Sequence, residues 1–553
     1  MFSSGTYKSV SLLIQRSDGN VVSASEEDFY RYTTKRWLAN EAFEAAQRYR
    51  KFNIQRLVDV AARSDRTKLK KCVSVMKYRE GQFNKTFLII FDNGSEVVAK
   101  LPNPNSGPNV LTIASEVATM DYVCSSSGLR VPRVLDWSSD PNNQVGCEYI
   151  IMEKVEGTAL GDVWYNLSDK SKQKIIRQVV DIEAKFAAFS FPSHGCLYYT
   201  RDLPAKYHYN NQFSLPGDDS KRFCIGPLVD RQLWSDGRSE MKLGRGPWRR
   251  LSDFALAMGE NERAWTEKYV TPRMNYFKSY TDQETPQEYI KLIEKYMRVA
   301  AQLIRTEADT ANLLQPILWH CDLHLNNIYI DVDMENISGI IDWQGSSIAP
   351  LCIQAKFPRM IEHPSPVPLG GMMPEKPDDD GSLSKAEYLR LFKLYKSAFA
   401  HKYYEVTTAT RNPSHYAAIC HNQSGKLPII EPLVVIAGCW SAREVFRFRA
   451  SLMNVVDRWG ELYPSINCPI FFTEEERRIH DEELENRDHV EQVMEEYQKL
   501  GILPLDGTVD PEDYDAVRKR SEEQKKLLLS VAEDDEKAWI EKVWPYQDRP
   551  KEA

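Results

Sequence analysis

The sequence predicts an α+β chain of two lobes, a small antiparallel-sheet lobe followed by a large, mostly helical lobe that carries an insertion. Three observations predict it. Between Cys72 and Leu101 the apolar residues fall in three strand-like runs, CVSVMKY, TFLIIF and EVVAKL, and Asp92-Asn93-Gly94 marks a hairpin between the last two. After a fourth such run, EYIIMEKV at Glu148 to Val155, the pattern becomes mostly helical. Polar residues suited to a reaction centre fall in both halves, Lys100 in the first and Asp322 to Asp342 in the second. The halves therefore meet across one cleft.

Composition sets the outer bounds. The chain has 553 residues, 42% hydrophobic and 27% charged, enough apolar material for a core and unlike a disordered or fibrous chain. Length alone suggests about three or four domains, but a shared cleft makes residues 70 to 470 one two-lobed unit. A formal net charge of −8 leaves no overall electrostatic footprint for nucleic acid. No apolar run approaches the ~20 residues of a membrane helix. The ten cysteines include no C-x-x-C pair and read as free thiols.

Taken in order, residues 1–25 are Ser-rich, carry Lys8 and Arg16 and have no acid before Asp18, which fits a mitochondrial leader or a disordered N-terminus. Residues 26–70 form an N-terminal helical extension. Ser25 and Asp28 make a capping box for a helix running to Tyr49, with Phe29, Trp37 and Phe43 as packing residues. Ile54, Leu57, Val58 and Ala61 share one face of a second helix. Residues 71–155 form the sheet lobe, with a helical pattern resuming near Leu111. Residues 156–470 form the helical lobe. Within it, Tyr198 to Trp265 is aromatic, irregular and rich in Arg, Gly and Pro, and reads as an insertion at about 198–265. Helix follows from Gln287 to Ala308, then a short β interruption at Ile328 to Asp342. Residues 471–553 are charged C-terminal helices, a solvated pair broken at Leu500 to Pro511.

The chemistry concentrates in LWHCDLHLNNIYID and ISGIIDWQG. His320, Asp322 and Asn327 fit H-x-D-x-x-x-x-N, the catalytic-loop pattern of kinase-type phosphoryl transfer. Asp322 would accept the proton of an attacking hydroxyl. Asn327 and Asp342 would offer oxygens to Mg²⁺, a hard cation, and His320 would hold the loop. Upstream, Lys100 interrupts an apolar strand, and Glu116 lies on a helical stripe with Ile113, Val117 and Met120. A carboxylate on such a stripe needs a partner; Lys100 supplies one, and the pair would hold nucleotide phosphates. The turn EGQFNKTF sits where a phosphate-covering loop belongs, with backbone amides near Asn84 as caps, but Gly81 is its only glycine. Two other readings remain: His320, Asp322 and His324 as metal ligands, and a chance match of three fixed positions. The order Lys, Glu, strand, H-x-D-x-x-x-x-N, Asp opposes chance.

The block HCDLHLNNIYID…GIIDWQG resembles the HGDLHxGNxxxD…xIDW signature of the aminoglycoside phosphotransferase and choline kinase family, with Cys321 in place of the usual glycine. FYRYTTKRWLANE, FCIGP, RGPW and IDWQGSSIAPLCIQAKFPRM are similar to the fungal subgroup called altered inheritance of mitochondria protein 9. The resemblance implies a protein kinase-like fold with ATP between the lobes, adenine against Glu153 to Val155, and mitochondrial residence rather than a cytoplasmic one. After Asp342 the chain runs straight into SSIAPL, without the activation segment that protein kinases use to bind peptides. The expectation is an ATP- and Mg²⁺-dependent phosphotransferase acting on a hydroxyl of an unidentified small molecule, with no nucleic-acid partner and no membrane span. The alternative is an inactive kinase-like module that binds nucleotide or serves as a scaffold.

Overall fold

The alternating runs form the middle of a seven-stranded sheet. The structure is a computed structural model that describes residues 10–64, 71–207, 215, 221–279, 281–304, 312–378, 383–423 and 430–549. Its first part contains β1 (Ser11–Gln15), β2 (Val21–Ser23), α1 (Glu26–Tyr30), β3 (Arg36–Trp37), α2 (Glu41–Gln47) and α3 (Ile54–Ser64). Then come β4 (Cys72–Lys77), β5 (Asn84–Phe91), β6 (Glu96–Pro102), α4 (Leu111–Ser127), β7 (Val134–Ser138) and β8 (Tyr149–Glu153). The sheet order is β2-β1-β4-β5-β6-β8-β7, antiparallel throughout except that β1 runs parallel to β4. The two-residue period then sorts side chains by face. Val97, Ala99 and Leu101 join Phe29, Leu57 and Phe87 in a core beneath the N-terminal extension. Val98, Ile150 and Met152 face the other core, shared with α4 and the helical lobe. Lys100, pairing with Thr86 and Ile150, lies on that second face.

The N-terminus departs from expectation twice. Residues 11–15 and 21–23, expected as leader or disordered terminus, are strands on the edge of the sheet; residues 1–9 lie outside the described residues. The capping box at Ser25 and Asp28 is present, but its helix stops at Tyr30, and Phe43 is exposed. Buried charge ends it. The Lys77 ammonium takes the carbonyls of Asp28 and Arg31, at 2.8 and 2.7 Å. Glu80 accepts from the Thr33 N–H at 2.8 Å and pairs with both Lys77 and Lys85. Buried ammonium groups need this many partners, and a continuous helix would keep those carbonyls for itself.

The helical lobe opens with β9 (Thr158–Ala159), α5 (Leu160–Val163), α6 (Asp169–Ala188), β10 (Cys196–Tyr199), β11 (Phe223–Gly226) and α7 (Leu251–Tyr269). It continues through β12 (Arg273–Met274), β13 (Gln283–Glu284), α8 (Pro286–Val299), β14 (Pro316–Trp319), β15 (Ile328–Asp331), β16 (Asn336–Ile340), β17 (Ser347–Pro350) and α9 (Leu351–Gln354). Helices α10 (Lys385–Arg411), α11 (Pro413–Gln423), α12 (Glu431–Val435) and α13 (Val445–Leu462) complete it. The segment read as irregular up to Trp265 ends in α7, where Ala255, Met258, Glu262 and Trp265 are buried at helical spacing. Helix α8 stops at Val299, short of the expected Ala308, and residues 305–308 lie outside the described residues. Strand β15 pairs with β16 and β9, and β14 pairs with β17; these short ladders fix the loops of the site.

The tail holds three helices, not two: α14 (Glu474–Lys499), α15 (Tyr514–Val531) and α16 (Asp534–Val543), the last opened by a capping box at Glu533. Between the first two, β18 (Thr508–Val509) pairs with β3. Glu483 of α14 is buried against Arg449 and Asn275 of the helical lobe. The tail thus runs from the helical lobe back to the N-terminal extension. All ten cysteines are free thiols. Among the described residues no helix is long and apolar enough to cross a membrane.

One buried acid predicts a pH dependence. Glu183 of α6 accepts a hydrogen bond from the Tyr404 hydroxyl at 2.5 Å, and burial pushes its carboxyl up to about 8. Its folded pKa exceeds the unfolded value, so this contribution to stability is full below pH ~4.3 and is lost as pH rises towards the folded value. Glu183→Gln should flatten the stability decline between about pH 5 and 8, measured by urea unfolding. Parallel curves for variant and wild type would contradict this.

Candidate active site

The sheet and the helical lobe meet at one ammonium group. Lys100 Nζ on β6 donates to Glu116 Oε1 on α4 at 2.6 Å and to Asp342 Oδ1 beyond β16 at 2.6 Å. Burial opposes the Lys100 charge, but Asp342 and Glu116 outweigh it and hold the ammonium above its ordinary pKa. Asp342 is held below the usual carboxylate range by Lys100 despite burial. Burial pushes Glu116 up against the pull of Lys100. Lys100 thus bridges two carboxylates, and Glu116 positions the lysine towards Asp342.

The loop that carries His320, Asp322 and Asn327 leaves the end of β14. His320 is buried, its Nε2 3.0 Å from the Ile341 carbonyl and its Nδ1 3.3 Å from the Asp322 N–H. This pattern makes Nε2 the donor and Nδ1 the acceptor, and burial holds the ring pKa below its usual value. With both nitrogens engaged, His320 cannot ligate a metal, which removes the His320–Asp322–His324 reading. Among the described residues no group of three His, Cys, Asp or Glu side chains forms a metal cluster. Asn327 Nδ2 donates to the Asp322 carbonyl at 2.9 Å, which turns its amide oxygen the other way. Asp322 is half-exposed, with Arg359 Nη1 at 3.3 Å from Oδ1 and His324 Nε2 at 3.6 Å from Oδ2. Sequence reasoning assigned Arg359 no role; its only signal was its place in the KFPRM end of a similar segment.

Asp342 adopts φ +62°, a left-handed conformation that side chains disfavour by about 1–2 kcal/mol. Neighbouring contacts hold it there. Trp343 is fully buried against His320 and Phe186, and Gln344 Nε2 reaches the Ser106 carbonyl of the sheet lobe at 3.1 Å. Cys321 turns its Sγ to the Gln344 carbonyl at 3.2 Å. At Gly161 a Cβ would lie 1.9 Å from Asn326 Oδ1, so a larger residue there would have to displace the Asn326 side chain.

The remaining expected residues are spread out. Asn84 opens β5 and lines a cavity of about 590 Å³ that also touches Asp322 and Asp342. The cavity walls come from β10, residues 228–233, α7, β17 and α12. Glu153 ends β8 with its side chain on Arg133 and its N–H on the Arg133 carbonyl, so that N–H is already engaged. Val155 lies against Gly339 of β16. Neither residue lines the cavity.

The fold is two-lobed and kinase-like, and the comparisons give its family. Residues 74–353 match the phosphotransferase enzyme family, APH, to which the chain belongs. It is 30% identical over 515 residues to a subtelomeric hrmA-associated cluster protein of Aspergillus fumigatus, covering 86% of this chain and 97% of that one. It is 24% identical over 477 residues to altered inheritance of mitochondria protein 9 of Kluyveromyces lactis, covering 79% of this chain and 74% of that one. Among solved structures, the streptomycin–ATP–APH(2")-IIa ternary complex aligns with 72% of this chain and 96% of its own, at 13% identity and a TM-score of 0.33.

Removing the cation tests its place in the fold. Lys100→Ala leaves Glu116 buried without its partner and should lower unfolding stability by about 3–5 kcal/mol. Adding Glu116→Gln should recover part of that loss in urea titrations. A single variant as stable as wild type would contradict the arrangement.

Proposed function

We propose that the protein is an ATP- and Mg²⁺-dependent phosphotransferase that moves the γ-phosphoryl group to a hydroxyl of a small molecule. The observation that carries this is the Lys100 bridge between Glu116 and Asp342, at 2.6 Å to each, beside Asp322 and a cavity. The donor set fits the cofactors. Asp342 and Asn327 offer the hard oxygens that Mg²⁺ prefers, and Lys100 offers a positioned cation for phosphate. Bound Mg·ATP supplies the phosphoryl group and neutralises its charge.

The chain's own residues do the rest. Asp322 takes the proton of the acceptor hydroxyl, and Arg359, 3.3 Å away, orients its carboxylate. His320 stays neutral and holds the loop between Ile341 and Asp322. Glu116 keeps Lys100 extended into the cleft. Asn84 lies at the cavity edge as a phosphate-side contact, and the Glu153–Val155 segment borders the adenine site, with Val155 the nearer candidate because the Glu153 N–H is engaged. Positioning and charge neutralisation account for catalysis of this kind.

Mitochondrial residence is part of the proposal. Similarity to relatives named as mitochondrial supports it, as does the kinship of segments such as Phe29 to Glu41 with that subgroup. A second reading, a nucleotide-binding module without turnover, has one observation in its favour. The phosphate-side turn has a single glycine, and its Gln82 carbonyl is taken by the side-chain amides of Asn103 and Asn105. ADP release with Mg·ATP across a panel of alcohols, sugars and amino alcohols separates the two. Asp322→Asn should cut turnover by about 10²–10⁴-fold while leaving ATP-induced thermal stabilisation intact. Undiminished turnover in the variant would overturn the mechanism.

A further inference from the structure

The cavity beside Asp322 carries information about the acceptor, an inference that rests on the phosphotransferase reading. Its floor is apolar, with Phe254, Met258, Trp319, Leu433 and Ala437 among the lining residues. Two of its three carboxylates are already paired with a cation. Asp342 is bound by Lys100 at 2.6 Å and Asp322 by Arg359 at 3.3 Å. Asp230 accepts the Gln232 N–H at 2.9 Å and caps its own turn. Two exposed cations, Arg231 and Lys356, add positive charge to the lining, and Arg231 lies over the Phe83 ring at 4.8 Å. A polycationic aminoglycoside would meet these cations and find two of the three carboxylates already paired.

The polar groups that remain are neutral. His194 and Gln344 line the cavity, and each has a buried polar atom, Nδ1 and Oε1, with no hydrogen-bond partner among the described residues. His194 is 5% exposed and packed between Trp248 and Phe254. Burial holds its ring pKa at about 3, so it is neutral at physiological pH. Buried polar atoms of this kind favour a ligand that brings hydroxyls, which both donate and accept. The volume, about 590 Å³, is in the range of small-molecule sites.

We propose that the acceptor is a neutral, polyhydroxylated molecule with an apolar flank, bound with its apolar side on Phe254, Met258 and Leu433 and its hydroxyls towards His194 and Gln344. One hydroxyl faces Asp322. In the transfer, its oxygen forms the new P–O bond, its proton goes to Asp322, and the bond from the γ-phosphorus to the β,γ-bridging oxygen breaks to release ADP.

Calorimetric titration of the full chain with phenyl β-D-glucoside and with kanamycin, at low and high salt, tests the assignment. The glucoside should bind at least ten times more tightly than kanamycin, with little salt dependence. Val434→Trp fills the cavity from a position that is 55% exposed, so its melting temperature should hold while glucoside affinity falls at least tenfold. If that variant unfolds, the two ligands on wild type still decide. Tighter, salt-sensitive kanamycin binding, or no glucoside binding, overturns the acceptor class. ADP release is measured in parallel. Glucoside binding without ADP release, across the whole panel, upholds the cavity assignment and sinks phosphoryl transfer. ADP release with kanamycin and no glucoside binding does the reverse.

Discussion

The Lys100 ammonium is the constraint on which the molecule turns. It sits on a strand of the sheet lobe, its positioning carboxylate on α4, and its second carboxylate in the helical lobe, so a single cation registers three elements at once. A buried charge has to be paired to be tolerated. That requirement explains why Val98, Lys100 and Ile150 share one face while Ala99 and Leu101 pack beneath the N-terminal extension. It also explains why Asp342 is kept in a left-handed conformation by Trp343 and Gln344. Strain at a single residue of this kind recurs at functional sites, where surrounding packing over-determines it.

The same logic recurs on the far side of the sheet. Glu80 pairs with both Lys77 and Lys85, whose ammonium groups also take backbone carbonyls from the N-terminal extension. The extension is thereby bound to the sheet by charge as well as by Phe29 and Leu57. The C-terminal tail closes the circuit, joined to the helical lobe through Glu483 and to the extension through the β18–β3 pair and Asn40 with Asp548. Both lobes are therefore linked at the cleft and again through their terminal segments.

Much of this was legible in the sequence. Strands β4, β5, β6 and β8 of the sheet, α3, α4 and the β15–β16 pair follow from apolar period, and Lys100, Glu116, His320, Asp322, Asn327 and Asp342 meet as their order suggested. What was illegible depends on tertiary partners. The helix at Ser25 was read through to Tyr49 because its pattern is helical; Lys77 and Glu80, distant in sequence, draw the chain out of it. Residues 11–23 became strands because the edge of β4 was open to them, which composition does not encode. Arg359 carries no local pattern at all, and its role emerges only where the fold brings it to Asp322. The engaged Glu153 N–H is a matter of the neighbouring Arg133 carbonyl, again invisible along the chain.

The central claim is that Lys100, Asn327 and Asp342 together make one Mg·nucleotide site between the lobes. Its most direct test is calorimetric binding of a non-hydrolysable ATP analogue to the full chain, with and without Mg²⁺. The account predicts one site per chain whose affinity rises at least about tenfold with Mg²⁺, equivalent to ~1.4 kcal/mol. Binding that is indifferent to Mg²⁺, or no binding, would contradict it.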